Sequence, residues 1–178
     1  MKPSRKKAAS DGGAVRVNRH GEFMLERSMA NTVRSQTVAH ILVVDDDQAI
    51  RESLHLLLEA EGYQVAEAAN GVAALDILHT SITPLVVLLD LRMPRLDGEG
   101  VLRAVAHDSY LAGHNAYVLL TANFLAVSPA LAMILSELRA PVVPKPFDMD
   151  ALLDIVHQLA CRLVPPDDSL ASSLSPTR

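Results

Sequence analysis

From Ile41 to Leu163 the chain alternates apolar runs of strand length with segments of helical periodicity, five times over. Ile41-Leu42-Val43-Val44 is an unbroken apolar run. Residues 48–62 follow with Ile50, Leu54, Leu57 and Leu58 at helical spacing, and Gly62 stands where a helix C-terminus needs it. The same reading gives a strand over 63–69 and a helix over 70–80, with Val72, Leu75 and Leu78 on one face. A strand over 85–90 (LVVLLD) and a helix over 98–108 come next, then a strand over 116–122. A helix over 128–139 carries Pro129 in its first turn, where a missing amide proton costs nothing. Residues 140–147 contain a fifth strand. The last helix, 148–163, is capped by Asp148 and aligns Leu152, Val156, Leu159 and Leu163.

Continuously apolar strands separated by helices predict an α/β fold with a doubly wound parallel sheet covered on both faces. Right-handed crossovers reduce the possible topologies to a few. In such sheets ligands bind beyond the carboxyl ends of the strands, so chemistry is expected just after each strand.

The flanks differ. Residues 1–39 are polar, without sustained periodicity, and hold eight Lys/Arg against three Asp/Glu, a balance of +5. They predict a disordered basic arm, with at most a short helix within 21–34. The remaining residues hold eight Lys/Arg against eighteen Asp/Glu, a balance of −10, a poor composition for direct nucleic-acid binding. Residues 165–178 predict a disordered polar tail, and residues 40–164 the folded domain. No apolar run approaches the ~20 residues of a membrane span, and the basic N-terminus lacks the apolar stretch of a secretory signal. The single cysteine, Cys161, excludes an internal disulfide and fits a reducing cytoplasm. The seven histidines show no ligand spacing.

The strand ends carry a consistent set of groups. Asp45, Asp46 and Asp47 follow the first strand, Asp90 ends the third, Thr121 the fourth, and Lys145-Pro146 the fifth. Clustered carboxylates without a cation are unfavourable, because at least one pKa must rise. Mg2+ relieves that conflict, since it takes a few carboxylates and keeps several waters. Metal and lysine together can neutralise a phosphoryl group. A carboxylate with no general base beside it is a reasonable phosphoryl acceptor. Asp47 and Asp97 read more simply as helix-start residues.

The ordered set VVDDD, LLDLRMPRLDG, LLTA and PKPF resembles the receiver domain of two-component response regulators over residues 40–164. The resemblance implies the flavodoxin-like strand order 2-1-3-4-5. It implies that Asp90 accepts a phosphoryl group from a phosphohistidine on a sensor histidine kinase or histidine phosphotransfer protein. Asp46 would ligate Mg2+ directly, Asp45 mainly through water, and Asp90 and the backbone carbonyl of Arg92 would complete the protein ligands. Thr121 and Lys145 would bind phosphoryl oxygens, Pro146 would follow a cis peptide bond, and Arg92 and Asn123 would flank the phosphoryl group and modulate its lifetime.

The chain departs from the family pattern in three places. The Tyr or Phe usual a few residues before the lysine is absent from Ala140-Pro141-Val142-Val143-Pro144. The span from Thr121 to Lys145 is a residue or two long, which predicts an altered loop in NFLAVSPA. The small residues usual before the fifth strand are Arg139-Ala140. All three fall on the face formed by the 128–139 helix and the fifth strand, where many receivers signal or form homodimers. An unusual output surface follows, without the family's dimer on that face. About 14 residues after the last helix are too few for an output module, so the expectation is a stand-alone, cytoplasmic receiver that switches protein partners. The alternative is a receiver-like adaptor that binds partners independently of phosphorylation, and the missing aromatic is its cue.

Overall fold

The computed structural model of the protein describes residues 39–163. The expected arm, its short helix and the polar tail lie outside them. β1 (His40–Val44) pairs in parallel with β2 (Gln64–Ala68) on one side and β3 (Leu85–Asp90) on the other. β4 (Ala116–Thr121) and β5 (Val142–Pro144) extend the sheet to the order β2-β1-β3-β4-β5.

The unbroken apolar strands follow from burial on both faces. Side chains alternate across a strand, so Leu42 and Val44 enter one core while Ile41 and Val43 enter the other. β3 divides likewise, with Leu85, Val87 and Leu89 on one side and Val86 and Leu88 on the other. The second core is closed by α1 (Gln48–Ala60) through Leu54 and Leu58, and by α6 (Met149–Leu163) through Leu152, Val156 and Leu159. The first is closed by α2 (Gly71–Thr80), α3 (Gly98–Ala106), α4 (Ser109–His114) and α5 (Pro129–Glu137). Each fully buried leucine or valine contributes on the order of 1.5–3 kcal/mol. With aromatics at 3% of the sequence, aliphatic side chains supply nearly all of this.

The helix starts are chemically specified. Asp47, Asn70, Asp97, Asp108 and Ser128 each accept a backbone N–H in the first turn of the helix that follows. Pro129 occupies the first turn of α5 as expected. Gly62 follows α1 with φ +89°, a conformation that glycine adopts without strain.

One expectation needs correction. Val72 is 47% exposed, and α2 buries Gly71, Ala74 and Leu78 instead. The cause is Gly71, whose N–H donates to the Leu96 carbonyl at 3.0 Å and whose absent side chain lets α2 sit against that loop. Residues 109–114, which periodicity does not mark, form α4; Asp108 caps it and its single buried residue is Leu111. The fifth strand is only three residues long. Pro141 and Pro144 offer no N–H, so pairing with β4 uses the Pro141 carbonyl, which accepts from Leu119, and the Lys145 N–H, which donates to Thr121. The loop after Thr121, where the sequence predicts an altered loop, contains a short 3-10 turn, Phe124–Ala126. Among the described residues, no helix is long and apolar enough to cross a membrane.

Candidate functional site

The carboxyl ends of β1, β3, β4 and β5 bring Asp45, Asp90, Thr121 and Lys145 to one rim. The strand register explains the convergence, since Val44 stands beside Leu89, Asp90 beside Leu120, and Thr121 beside Pro144. Lys145 reaches across the rim. Its Nζ lies 2.5 Å from Asp45 Oδ2 and 2.6 Å from Asp90 Oδ1. The Lys145–Pro146 peptide bond is cis, as expected.

Both carboxylates are buried, Asp45 at 1% exposure and Asp90 at 6%. Their remaining oxygens are held by backbone donors: Asp47 N–H binds Asp45 Oδ1 at 2.9 Å, and Arg92 N–H binds Asp90 Oδ2 at 2.7 Å. Burial pushes the Asp90 carboxyl above the usual carboxylate range, because the lysine and the Arg92 N–H offset only part of the desolvation and Asp45 repels it. Burial acts to lower the Lys145 pKa, but its bonds to Asp45 and Asp90 outweigh it and the ammonium is held above its usual value. The two directions agree: one cation serves two buried anions, so the ammonium is well paired and a negative charge is left over.

Asp46, the expected direct metal ligand, points to solvent, and its carboxylate accepts no hydrogen bond from the described residues. Among the described residues, no three metal-ligating side chains already form a cluster. Lys145 bonds one oxygen of Asp45 and one of Asp90, while the Asp46 side chain is exposed. The donor set nevertheless fits a hard divalent cation. Three carboxylates with one ammonium leave surplus negative charge at an all-oxygen rim, which suits Mg2+. The residues that would hold it are Asp46 and Asp90, supported by Asp45, with the Arg92 carbonyl on the same loop.

Thr121 is 2% exposed, yet its hydroxyl does not bond Asp90. Its Oγ1 donates to the Asn123 carbonyl and accepts the Asn123 N–H, both at 3.1 Å. Asn123 Oδ1 in turn accepts the Leu125 N–H at 2.9 Å. The exposed Arg92 side chain forms no bond to the carboxylates. Asp47 and Asp97 are helix caps, as their positions implied. Val142 is half-buried and packs against the first core, where the family pattern places an aromatic.

Sequence reasoning missed two residues. Arg51 donates to the carbonyls of Asp45 at 2.8 Å and Asp46 at 3.3 Å. Gly98 lies so close beneath Asp90 that a Cβ there would meet the Asp90 carbonyl oxygen at 2.3 Å. The sequence marks Asp97 only as a helix-start residue, which gives no sign of that approach. Arg51 lies on a helical face that periodicity marks only as polar.

Beside Lys145 opens an apolar groove of about 610 Å³, lined by Ala49, Ile50, Leu54, Pro146, Phe147 and Met149 among others. It runs from the first turns of α1 to Lys145 at the acidic rim.

A family model described as "Response regulator receiver domain" matches residues 41–157. Response regulator MprA of Mycobacterium avium (strain 104) is 40% identical over 129 residues, which is 72% of this chain and 54% of the relative. MprA of Mycobacterium tuberculosis (strain ATCC 25177 / H37Ra) is 39% identical over 137 residues, 76% of this chain and 57% of the relative. The chain thus spans about half the length of the curated relatives it matches, and they lend no support to the stand-alone expectation. Among solved structures, the Francisella response regulator 1452 receiver domain superimposes with a TM-score of 0.60 at 27% identity, covering 70% of this chain and 98% of its own. Response regulator protein TrrA from Thermotoga maritima, in complex with Mg(2+)-BeF, superimposes with a TM-score of 0.59 at 31% identity, covering 68% and 99%.

Proposed function

Because the chain belongs to the response regulator receiver family, we propose that Asp90 accepts a phosphoryl group from a phosphohistidine donor in a Mg2+-dependent reaction and thereby switches protein–protein contacts. The observation that carries this is the bridge of Lys145 between Asp45 and Asp90 at the carboxyl rim of the sheet. It presents a buried acceptor carboxylate, a fixed cation and surplus negative charge in one place.

Phosphotransfer would proceed by attack of an Asp90 carboxylate oxygen on phosphorus. The bond from phosphorus to the donor imidazole breaks, and that imidazole leaves and takes a proton from solvent. When bound, Mg2+ would neutralise charge on the equatorial phosphoryl oxygens. The Lys145 ammonium, already 2.6 Å from Asp90, would pass to a phosphoryl oxygen. The Arg92 N–H holds the second Asp90 oxygen and orients the acceptor. No separate enzyme group is required, so the transfer is self-catalysed within a signalling protein.

The donor, a sensor histidine kinase or phosphotransfer protein in the cytoplasm, would dock on the apolar groove beside Lys145. Ile50, Phe147 and Met149 offer it an uncharged seat that ends at Lys145, beside the acceptor.

The switch is read through Thr121. For its hydroxyl to reach a phosphoryl oxygen it must release the Asn123 backbone, which frees the loop leading into α5. With Val142 in place of an aromatic, the change passes into this loop and not through a ring on β5. Leu125 is 95% exposed and Met133 75% exposed on this side, and a partner that reads the switch would cover them.

Mg2+ and beryllofluoride, a phosphoryl mimic, test the reading. Wild-type protein should show amide chemical-shift changes at residues 121–127 that require both and vanish in Asp90→Ala. A protein that binds its partners equally with and without them is the phosphate-independent adaptor instead.

A further inference from the structure

Three adjacent aspartates at the end of β1 must be held with their carboxylates apart and aimed differently. Asp45 is fixed by Lys145 and by the Asp47 N–H, and Asp47 by capping α1 through the N–H groups of Ala49 and Ile50. Asp46 has no such side-chain anchor, so its aim is set by its own backbone. That backbone is gripped by Arg51. The Arg51 side chain is only 13% exposed. Its Nη1 donates to the carbonyls of the two peptide units that flank the Asp46 Cα, Asp45 O at 2.8 Å and Asp46 O at 3.3 Å. Its Nε donates to Glu67 Oε2 on β2 at 3.2 Å. Glu67 Oε1 lies 2.7 Å from His55 Nδ1, one helical turn beyond Arg51 on α1.

We propose that Arg51, oriented by Glu67, is a positioning residue: by fixing the Asp45–Asp46 backbone it restricts where the solvent-facing Asp46 carboxylate can reach to bind the cation. The inference rests on the Mg2+ reading given under Proposed function. The chemistry suits arginine specifically. Its planar fork can bind two carbonyls and a carboxylate at once, and it stays charged, whereas a lysine ammonium offers no such fixed geometry. Its charge also offsets repulsion among the three acids without occupying the metal position. Groups that orient metal ligands commonly change affinity by about 10–100-fold when removed.

The test is calorimetric titration of magnesium chloride into wild type, Arg51→Lys, Arg51→Met and Glu67→Gln, alongside melting of each metal-free protein. The proposal expects the Mg2+ dissociation constant of folded Arg51→Met to rise about tenfold. Arg51→Lys should weaken binding nearly as much despite its conserved charge, and Glu67→Gln should weaken it less. Variants that melt lower yet bind Mg2+ as tightly as wild type would show a merely structural strut and overturn the proposal. Arg51→Lys guards against loss of folding in Arg51→Met. If wild type itself takes up no Mg2+, the reading under Proposed function fails, and this inference fails with it for that distinguishable reason.

Discussion

The Lys145 ammonium sits between Asp45 and Asp90, 2.5 Å from one carboxylate and 2.6 Å from the other, joining residues that stand 45 positions apart in sequence at the ends of two adjacent strands. One positive charge therefore answers two buried negative ones. Most of the behaviour expected of the rim follows from that imbalance.

Removing the lysine should leave two buried carboxylates facing each other. Lys145→Met should destabilise the metal-free protein by about 3–5 kcal/mol, the cost of orphaning a buried charge. The loss should shrink in Mg2+ and at acid pH, where one carboxyl can protonate. Urea unfolding with and without Mg2+ checks both effects.

Asp90 carries the reverse sign. Its folded pKa is raised above 3.8, with burial the main cause. The folded state therefore holds this proton more tightly than the unfolded chain, and stability falls as pH climbs from the unfolded value to the folded one. The penalty persists above that window. Asp90→Asn removes the charge and keeps the shape, so metal-free Asp90→Asn should melt higher than wild type at pH 7 and show no such gain near pH 3. Mg2+ should stabilise wild type and do little for the variant. Calorimetric melts at the two pH values decide it.

Much of this was legible in the sequence. Unbroken apolar strands gave the two-sided parallel sheet, because burial on both faces leaves no position for alternation. The strand-end rule places Asp45, Asp90, Thr121 and Lys145 at one rim. What stayed hidden depends on close approach and on backbone partners. α2 buries Gly71 against the Leu96 carbonyl and leaves Val72 at the surface, a close approach that periodicity does not mark. α4 has six residues and a single buried one, too short for periodicity to mark. Arg51 acts through main-chain carbonyls, which carry no sequence signature. The pairing of Thr121 with Asn123 reflects a local competition between a hydroxyl and its own loop.

Gly98 should tolerate no side chain. Its Cβ would meet the Asp90 carbonyl oxygen at 2.3 Å and the Leu91 Cα at 3.0 Å, both backbone atoms that cannot rotate away. Gly98→Ala should cost about 1–3 kcal/mol or more and displace the start of α3. Chemical unfolding measures the cost, and weakened Mg2+ binding by the folded fraction would show that the acceptor loop has moved.

The Thr121 hydroxyl should matter to signalling more than to chemistry. Thr121→Ala loses both bonds to Asn123, so hydrogen exchange at residues 122–127 should be fast with or without beryllofluoride. Wild type should pass from slow to fast on adding it, and Thr121→Ser should behave like wild type. Exchange that responds identically in Thr121→Ala and wild type would remove this residue from the switch.

The most direct measurement is the intact mass of the protein after incubation with a small-molecule phosphodonor such as phosphoramidate and Mg2+. The account predicts addition of a single phosphoryl group, dependent on Mg2+, labile to hydroxylamine as an acyl phosphate is, and absent from Asp90→Asn. A wild-type protein that gains no phosphoryl group under these conditions, or gains it equally in Asp90→Asn, would contradict it.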